Sequence, residues 1–190
     1  MTVTTELQAR IPGYVSGTWV IDPVHSEVGF SVRHLMLSKV RGRFAKFEGR
    51  IATPENPLEA SVEATIDLSS IDTNNPDRDA HLRSADFFDV ERHPVMTYRS
   101  TGVREVDDGF LVDGELSLHG ISRPVTLALQ VEGILASSPF GDTRIGFSAT
   151  AEINRSDFDI NFGIADTGGV GLGDKVQIAL EVEAVLQTAA

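Results

Sequence analysis

From Gly17 to Ile51 apolar and polar side chains alternate with the period of a β-strand, and the breaks in the pattern say how the strands are arranged. Thr18-Trp19-Val20-Ile21 is a short apolar strand stopped by Asp22-Pro23. Val28, Phe30 and Val32 share one face of a second strand, with Glu27, Ser31 and Arg33 on the other. After a break at His34–Ser38, a third run puts Val40, Gly42 and Phe44 on one face and Lys39, Arg41 and Arg43 opposite. The apolar positions then slip by one residue and continue as Phe47, Gly49 and Ile51. A β-bulge produces such a slip, and a long bulged strand is the usual device for curving a sheet into a barrel.

The same period continues downstream. Thr53-Pro54-Glu55-Asn56-Pro57 is a turn, and Leu58 to Leu68 alternates strictly enough to predict one half-buried strand. Asn75 as N-cap, Pro76 at the first helical position and acids in the first turn predict one short helix over Pro76–Ser84. A strand over Val95–Val106 turns at Asp107-Asp108-Gly109 into another bearing Phe110, Val112, Leu116 and Leu118. His119-Gly120 is a tight corner. Val125–Val131, Ile145–Ile153 and Val176–Leu186 complete the set. About eight long strands, one short helix and no β-α-β rhythm leave a sandwich or a barrel, and strand length and the slip favour a single antiparallel β-barrel. The barrel domain is expected over residues 17–190, with residues 1–16 as an N-terminal arm.

Composition narrows the function. The chain has no cysteine, which removes disulfides, thiol catalysis and thiolate metal sites. The first seventeen residues lack the basic start and apolar run of a secretory signal, so a cytoplasmic location is expected. No stretch is long and apolar enough for a transmembrane helix. A net charge of −12 argues against nucleic acid and against long-range attraction to an anionic membrane. The charge is uneven, however: Arg33, Lys39, Arg41, Arg43, Lys46 and Arg50 cluster with Glu48 as their only acid. Alternation favours a solvated outer strand face for them, and an anion site at a cavity mouth is the functional alternative.

No catalytic constellation is visible. His25, His34, His81, His93 and His119 form no short ligand spacing, so neither a metal site nor a cofactor is expected. Ser26 and Ser84 lack a nucleophile-elbow context. Gly163–Asp174 is glycine-rich but has neither Walker nor dinucleotide spacing, and reads as a connection or a lid over a barrel mouth.

Taken together, a dispersed set of residues resembles the YceI-like family of polyisoprenoid-binding proteins. It comprises Trp19, Asp22, His25-Ser26, Phe30, His34, Gly42, Phe44 and Gly49, then Arg78-Asp79, His81-Leu82, Ser84, Asp86-Phe87-Phe88-Asp89 and Pro94. Gly114-Glu115-Leu116, His119-Gly120, Pro124-Val125 and Asn154-Arg155-Ser156-Asp157-Phe158 complete it. The resemblance spans Gly17 to Leu186. It implies a lipocalin-like barrel with an elongated apolar pore, a long isoprenoid ligand such as a polyprenyl phosphate or isoprenoid quinone, and a homodimer.

The apolar faces agree with that reading. Phe30, Val32, Phe44, Val112, Leu116, Leu127, Leu129, Phe147, Ile178 and Leu180 are expected to form the wall of a lipid cavity. Burial of a polyprenyl chain gains about 0.8 kcal/mol per CH₂, so binding needs no catalysis. A charged or polar head must sit at a mouth, because an unpaired buried polar group costs about 1–3 kcal/mol. His34, in phase with the inward face, is expected to contact it, helped by Arg33 or Lys39. The alternative is a cofactor- or metal-dependent enzyme using the same cavity.

Overall fold

The computed structural model describes Gln8, residues 10–163 and residues 171–187. Its strands are β1 (Gly17–Ile21), β2 (Glu27–His34), β3 (Ser38–Phe44), β4 (Phe47–Thr53), β5 (Ser61–Asp67) and β6 (Ile71–Asp72). After the helix α1 (Pro76–Arg83) follow β7 (Val95–Val106), β8 (Gly109–Leu118), β9 (Ile121–Leu135), β10 (Arg144–Asn154) and β11 (Leu172–Leu186). The order β1-β4-β5-β7-β8-β9-β10-β11 closes through pairing of β11 with β1. Two bent ribbons, β1/β2 and β3/β4, each count as one strand, and the result is a closed eight-stranded antiparallel barrel with the helix α1 packed on it. The sequence-based expectation of a single antiparallel barrel is thus met.

The bends are made by side chains. At Asp22–Ser26 the first ribbon leaves the ladder of β11. There the Asp22 N–H donates to the Glu183 carbonyl at 2.8 Å, while Ser26 Oγ accepts from the Glu183 N–H at 2.9 Å. The backbone groups opened by the bend are therefore satisfied. At Ala45-Lys46 the second ribbon turns a corner, with the Lys46 N–H held by Ser70 Oγ at 3.0 Å. Here Phe44 pairs with Ile71 of β6 and Phe47 with Ile66 of β5. The phase slip read from the sequence is real, but it is a corner between two strands rather than a bulge within one.

Two boundaries differ from expectation. The strand expected over Leu58–Leu68 is β5 alone, Ser61–Asp67, flanked by 3-10 turns at Pro57–Glu59 and Leu68–Ser70. Asn56 Oδ1 accepts from the Leu58 N–H at 3.2 Å and Asp67 Oδ1 from the Ser69 N–H at 2.8 Å. Such local side-chain bonds compete with the ladder, and alternation alone does not register them. The last strand begins at Leu172 rather than Val176.

Helix α1 forms as the cap residues predict: Asn75 Oδ1 accepts from the Arg78 N–H at 3.0 Å. Buried Asp79 accepts from the Thr73 N–H at 2.9 Å, and Arg83 Nε donates to the Ser69 carbonyl at 2.9 Å. These bonds fix the helix against one end of the barrel, with Leu82 directed into it. At the other end Ile11 is buried against Phe110, and the Tyr14 hydroxyl donates to the Pro54 carbonyl at 2.5 Å. Part of the expected N-terminal arm thus belongs to the barrel's packing.

Candidate functional site: an apolar cavity through the barrel

The inward faces of the strands enclose a cavity of about 310 Å³. All ten residues expected in its wall line it: Phe30, Val32, Phe44, Val112, Leu116, Leu127, Leu129, Phe147, Ile178 and Leu180. Sequence reasoning missed both ends. Leu82, Phe87 and Phe88 line the α1 end, and Ile11, Tyr14 and Pro57 the opposite one. These residues lie in turns, loops and a short helix, where a period-two reading has no purchase.

Aromatic rings shape the wall, and two glycines make room for them. Phe30 and Phe44 lie 5.7 Å apart between ring centroids, and Phe88 continues the row 5.9 Å from Phe44. Phe30 lies across its register partner Gly42, where a Cβ would come within 2.4 Å of the ring. Tyr98 lies similarly over Gly114, and its hydroxyl donates to the Val112 carbonyl at 2.9 Å. Burial, with the Asp113 charge adding to it, pushes the Tyr98 phenol up to about 12. It therefore stays neutral at physiological pH and is no base.

Among the described residues of this wall, one side chain is charged. Arg155, 4 % exposed, donates from Nε to the Gly173 carbonyl at 3.0 Å and from Nη1 to the Ile160 and Phe162 carbonyls at 2.9 Å. Nη2 donates to the Leu172 carbonyl at 3.1 Å. The guanidinium ties the segment after β10 to the start of β11. Burial lowers its pKa and the Asp174 charge opposes that shift, but an arginine stays protonated. Carbonyls take its N–H groups, so a cation stands in the α1 end of the wall, with the Asp174 carboxylate beside it on Ser156.

The residues expected at the head group lie outside this wall. Arg33, His34 and Lys39 are exposed on the β2–β3 hairpin, and none lines the cavity. The inward phase of β2 ends at Val32. His34 then opens the hairpin turn, its carbonyl accepting from the Leu37 N–H at 3.0 Å, and the turn sends its ring to solvent. Most of the glycine-rich segment expected as a lid, residues 164–170, lies outside the described residues.

Among the described residues, two groups bring metal-type donors within 4.8 Å of one another. Asp22 and Glu183 are already engaged by Arg144, which donates to Asp22 at 2.9 Å and to Glu183, and His25 Nδ1 lies 2.8 Å from Asp22 Oδ2. Asp89, His93 and His119 form the other group. The two imidazoles stand 4.9 Å apart, and the Phe158 carbonyl lies 3.0 Å from His119 Nδ1, which places the proton on that nitrogen. None of these residues lines the cavity, whose described wall contains no carboxylate and no histidine. It therefore carries no acid–base pair.

A closed antiparallel barrel around an apolar cavity, capped at one end by a short helix, defines the class of this protein. It belongs to the YceI-like family, whose domain model matches residues 19–184. Protein YceI of Escherichia coli is 37 % identical over 164 residues, covering 86 % of this chain and 83 % of that protein. The crystal structure of a Campylobacter jejuni YceI protein, 32 % identical, covers 88 % of this chain and 96 % of its own with a TM-score of 0.71. A polyisoprenoid-binding domain from Saccharophagus degradans shares the fold, with a TM-score of 0.69 at 18 % identity over 91 % of this chain and 100 % of that one.

Proposed function

We propose that this protein binds, carries or sequesters a long isoprenoid lipid without transforming it. The cavity wall carries the reading: rows of Phe, Leu, Val and Ile from strand after strand, with no acid–base pair among the described residues, suit a long hydrocarbon chain. Membership of the YceI-like family supports it, and the Saccharophagus degradans domain is described as polyisoprenoid-binding. A prenyl chain gains about 0.8 kcal/mol per buried CH₂, so a few isoprene units suffice for tight binding.

The head group is placed at the α1 end. Arg155 is the cation that the described wall offers there, and Arg33, His34 and Lys39 stand outside it. The tail then runs towards Ile11 and Tyr14. A polyprenyl phosphate or an isoprenoid quinone fits this polarity. Organic extraction and mass spectrometry of the purified protein test the reading directly. A stoichiometric isoprenoid is expected, and a ligand-free protein that also fails to take up a prenol in solution would exclude it.

A metal-dependent enzyme has one observation in its favour, the Asp89, His93 and His119 group. Because the group lies off the cavity wall, a metal there would not face a ligand inside the barrel. Metal analysis of purified protein, with zinc titration of wild type and His93→Ala, tests it.

A further inference from the structure

The tip of the β2–β3 hairpin exposes three consecutive large apolar side chains: Leu35 at 48 %, Met36 at 59 % and Leu37 at 85 %. Leu35 and Met36 both have positive φ, 50° and 56°, at the centre of the turn that the Leu37 N–H closes on the His34 carbonyl, within the three-residue loop between the register partners His34 and Ser38. Two successive left-handed residues are the turn conformation for which Asn and Gly are the preferred residues. A leucine and a methionine in the left-handed region are strained by their Cβ atoms. Here the strain is spent on presenting apolar groups to water, from which folding gains nothing. Strain and exposed apolar surface in the same residues mark a surface that is covered when the protein works.

Charge indicates what covers it. On the outer face of the same hairpin Arg33 and Lys39 are register partners, and Arg41 follows opposite Ser31. All three are exposed and have no acidic partner among the described residues, whereas Arg43 is paired with Asp72 at 3.2 Å. Unpaired cations behind an apolar tip match an anionic bilayer, with the tip among the acyl chains and the cations at the phosphates. Screening at physiological ionic strength acts over about 8 Å, so this local cluster outweighs the net charge of the chain.

The tip also lies at an end of the cavity. Val32 and Leu172 line the wall, Leu172 pairs with His34, and the Leu35 N–H donates to the Gly171 carbonyl at 3.0 Å. We propose that the β2–β3 hairpin docks the barrel on an anionic lipid bilayer, which places the α1 end of the cavity at the surface where an isoprenoid chain is exchanged. The purpose of docking rests on the proposed lipid-binding function, but the two are read separately.

The test uses the full chain and the double variant Leu35→Asn/Met36→Gly, which installs the preferred turn sequence and is expected to melt no lower than wild type. Co-sedimentation is measured with vesicles of phosphatidylcholine plus phosphatidylglycerol and of phosphatidylcholine alone. Wild type is expected to bind the anionic vesicles and to release in high salt. The double variant should bind about tenfold more weakly, and Arg41→Gln about fivefold more weakly. Absence of wild-type binding, or equal binding by wild type and the double variant, would overturn docking. So would a wild-type dimer that the double variant dissolves, since a second copy would then be the occupant of the tip. Uptake of a prenol from vesicle-free solution reads the lipid-binding function. If uptake fails while vesicle binding holds, only that function falls; if uptake holds while vesicle binding fails, only docking falls.

Discussion

The indole N–H of Trp19 donates to Thr53 Oγ1 at 2.8 Å in a site closed to solvent. The same hydroxyl donates to the Val15 carbonyl at 2.9 Å and accepts from the Gly17 N–H at 3.1 Å. One threonine therefore joins β1, β4 and the segment that covers the end of the barrel. Thr53→Val keeps the volume but orphans the indole N–H and should cost about 1–3 kcal/mol. Urea unfolding checks this: the midpoint should fall with an unchanged slope, and Thr53→Ser should recover most of the loss.

The cavity should be open to filling. Ala64 lines its wall, and Ala64→Phe would place a ring in the space reserved for ligand. The variant is expected to fold, with unaltered circular dichroism, and to hold at least about tenfold less prenol because the ring displaces buried apolar contact. Leu129→Asp or Ile178→Asp places a carboxylate in the same wall and should abolish lipid co-purification or folding. Normal lipid content in all three variants would show that the ligand lies elsewhere.

The head-group placement separates charged from uncharged ligands. Binding of a polyprenyl phosphate and of the matching polyprenol is compared for wild type and His34→Ala. Because the His34 ring points to solvent, His34→Ala is expected to leave both affinities unchanged, and a loss of about 1 kcal/mol confined to the phosphate, the order of a single hydrogen bond, would return His34 to the site. Tighter binding of the phosphate than of the prenol by both proteins would leave Arg155 as the cation nearest the head group, and equal affinities in all four combinations would remove both His34 and Arg155 from that role.

Asp22 makes acid stability testable. Its hydrogen bond with His25, followed by those from Arg144 and the Val24 N–H, lowers its pKa from the ordinary 3.8 to about 2. A depressed carboxylate contributes stability that is complete above the unfolded pKa and is lost as pH falls through the folded one. Asp22→Asn should therefore melt below wild type at neutral pH. The difference, about 1 kcal/mol after solvent screening, should close between about pH 4 and pH 2 as the wild-type carboxylate is protonated. A gap that persists at pH 2 would mean that the asparagine disturbs the bend itself.

Period-two alternation specified the inner face of nearly every strand, because a strand's side chains must alternate whatever it pairs with. That is why all ten expected wall residues line the cavity, and why the slip between Phe44 and Phe47 was visible before the corner that causes it. The cap at Asn75 was equally legible, since Asn, Pro and an acidic first turn act within a few residues of one another. The ends of strands were not. Asn56 and Asp67 end β5 through side-chain bonds that compete with the ladder, and His34 loses its inward phase where the turn takes over.

What the sequence determined by itself was the all-β class, the apolar faces and the helix capped by Asn75, each a consequence of interactions between residues close along the chain. Only the tertiary structure decided which residues close the cavity and which meet across it. Arg155 turns inward because carbonyls as far along the chain as Gly173 receive its N–H groups. Ile11 and Tyr14 cover an end whose other residues lie far along the chain, at Pro54 and Phe110. His93 and His119 face each other although the sequence shows them only as isolated histidines. These placements depend on closure of β11 onto β1, a pairing between the two ends of the chain that no local pattern records.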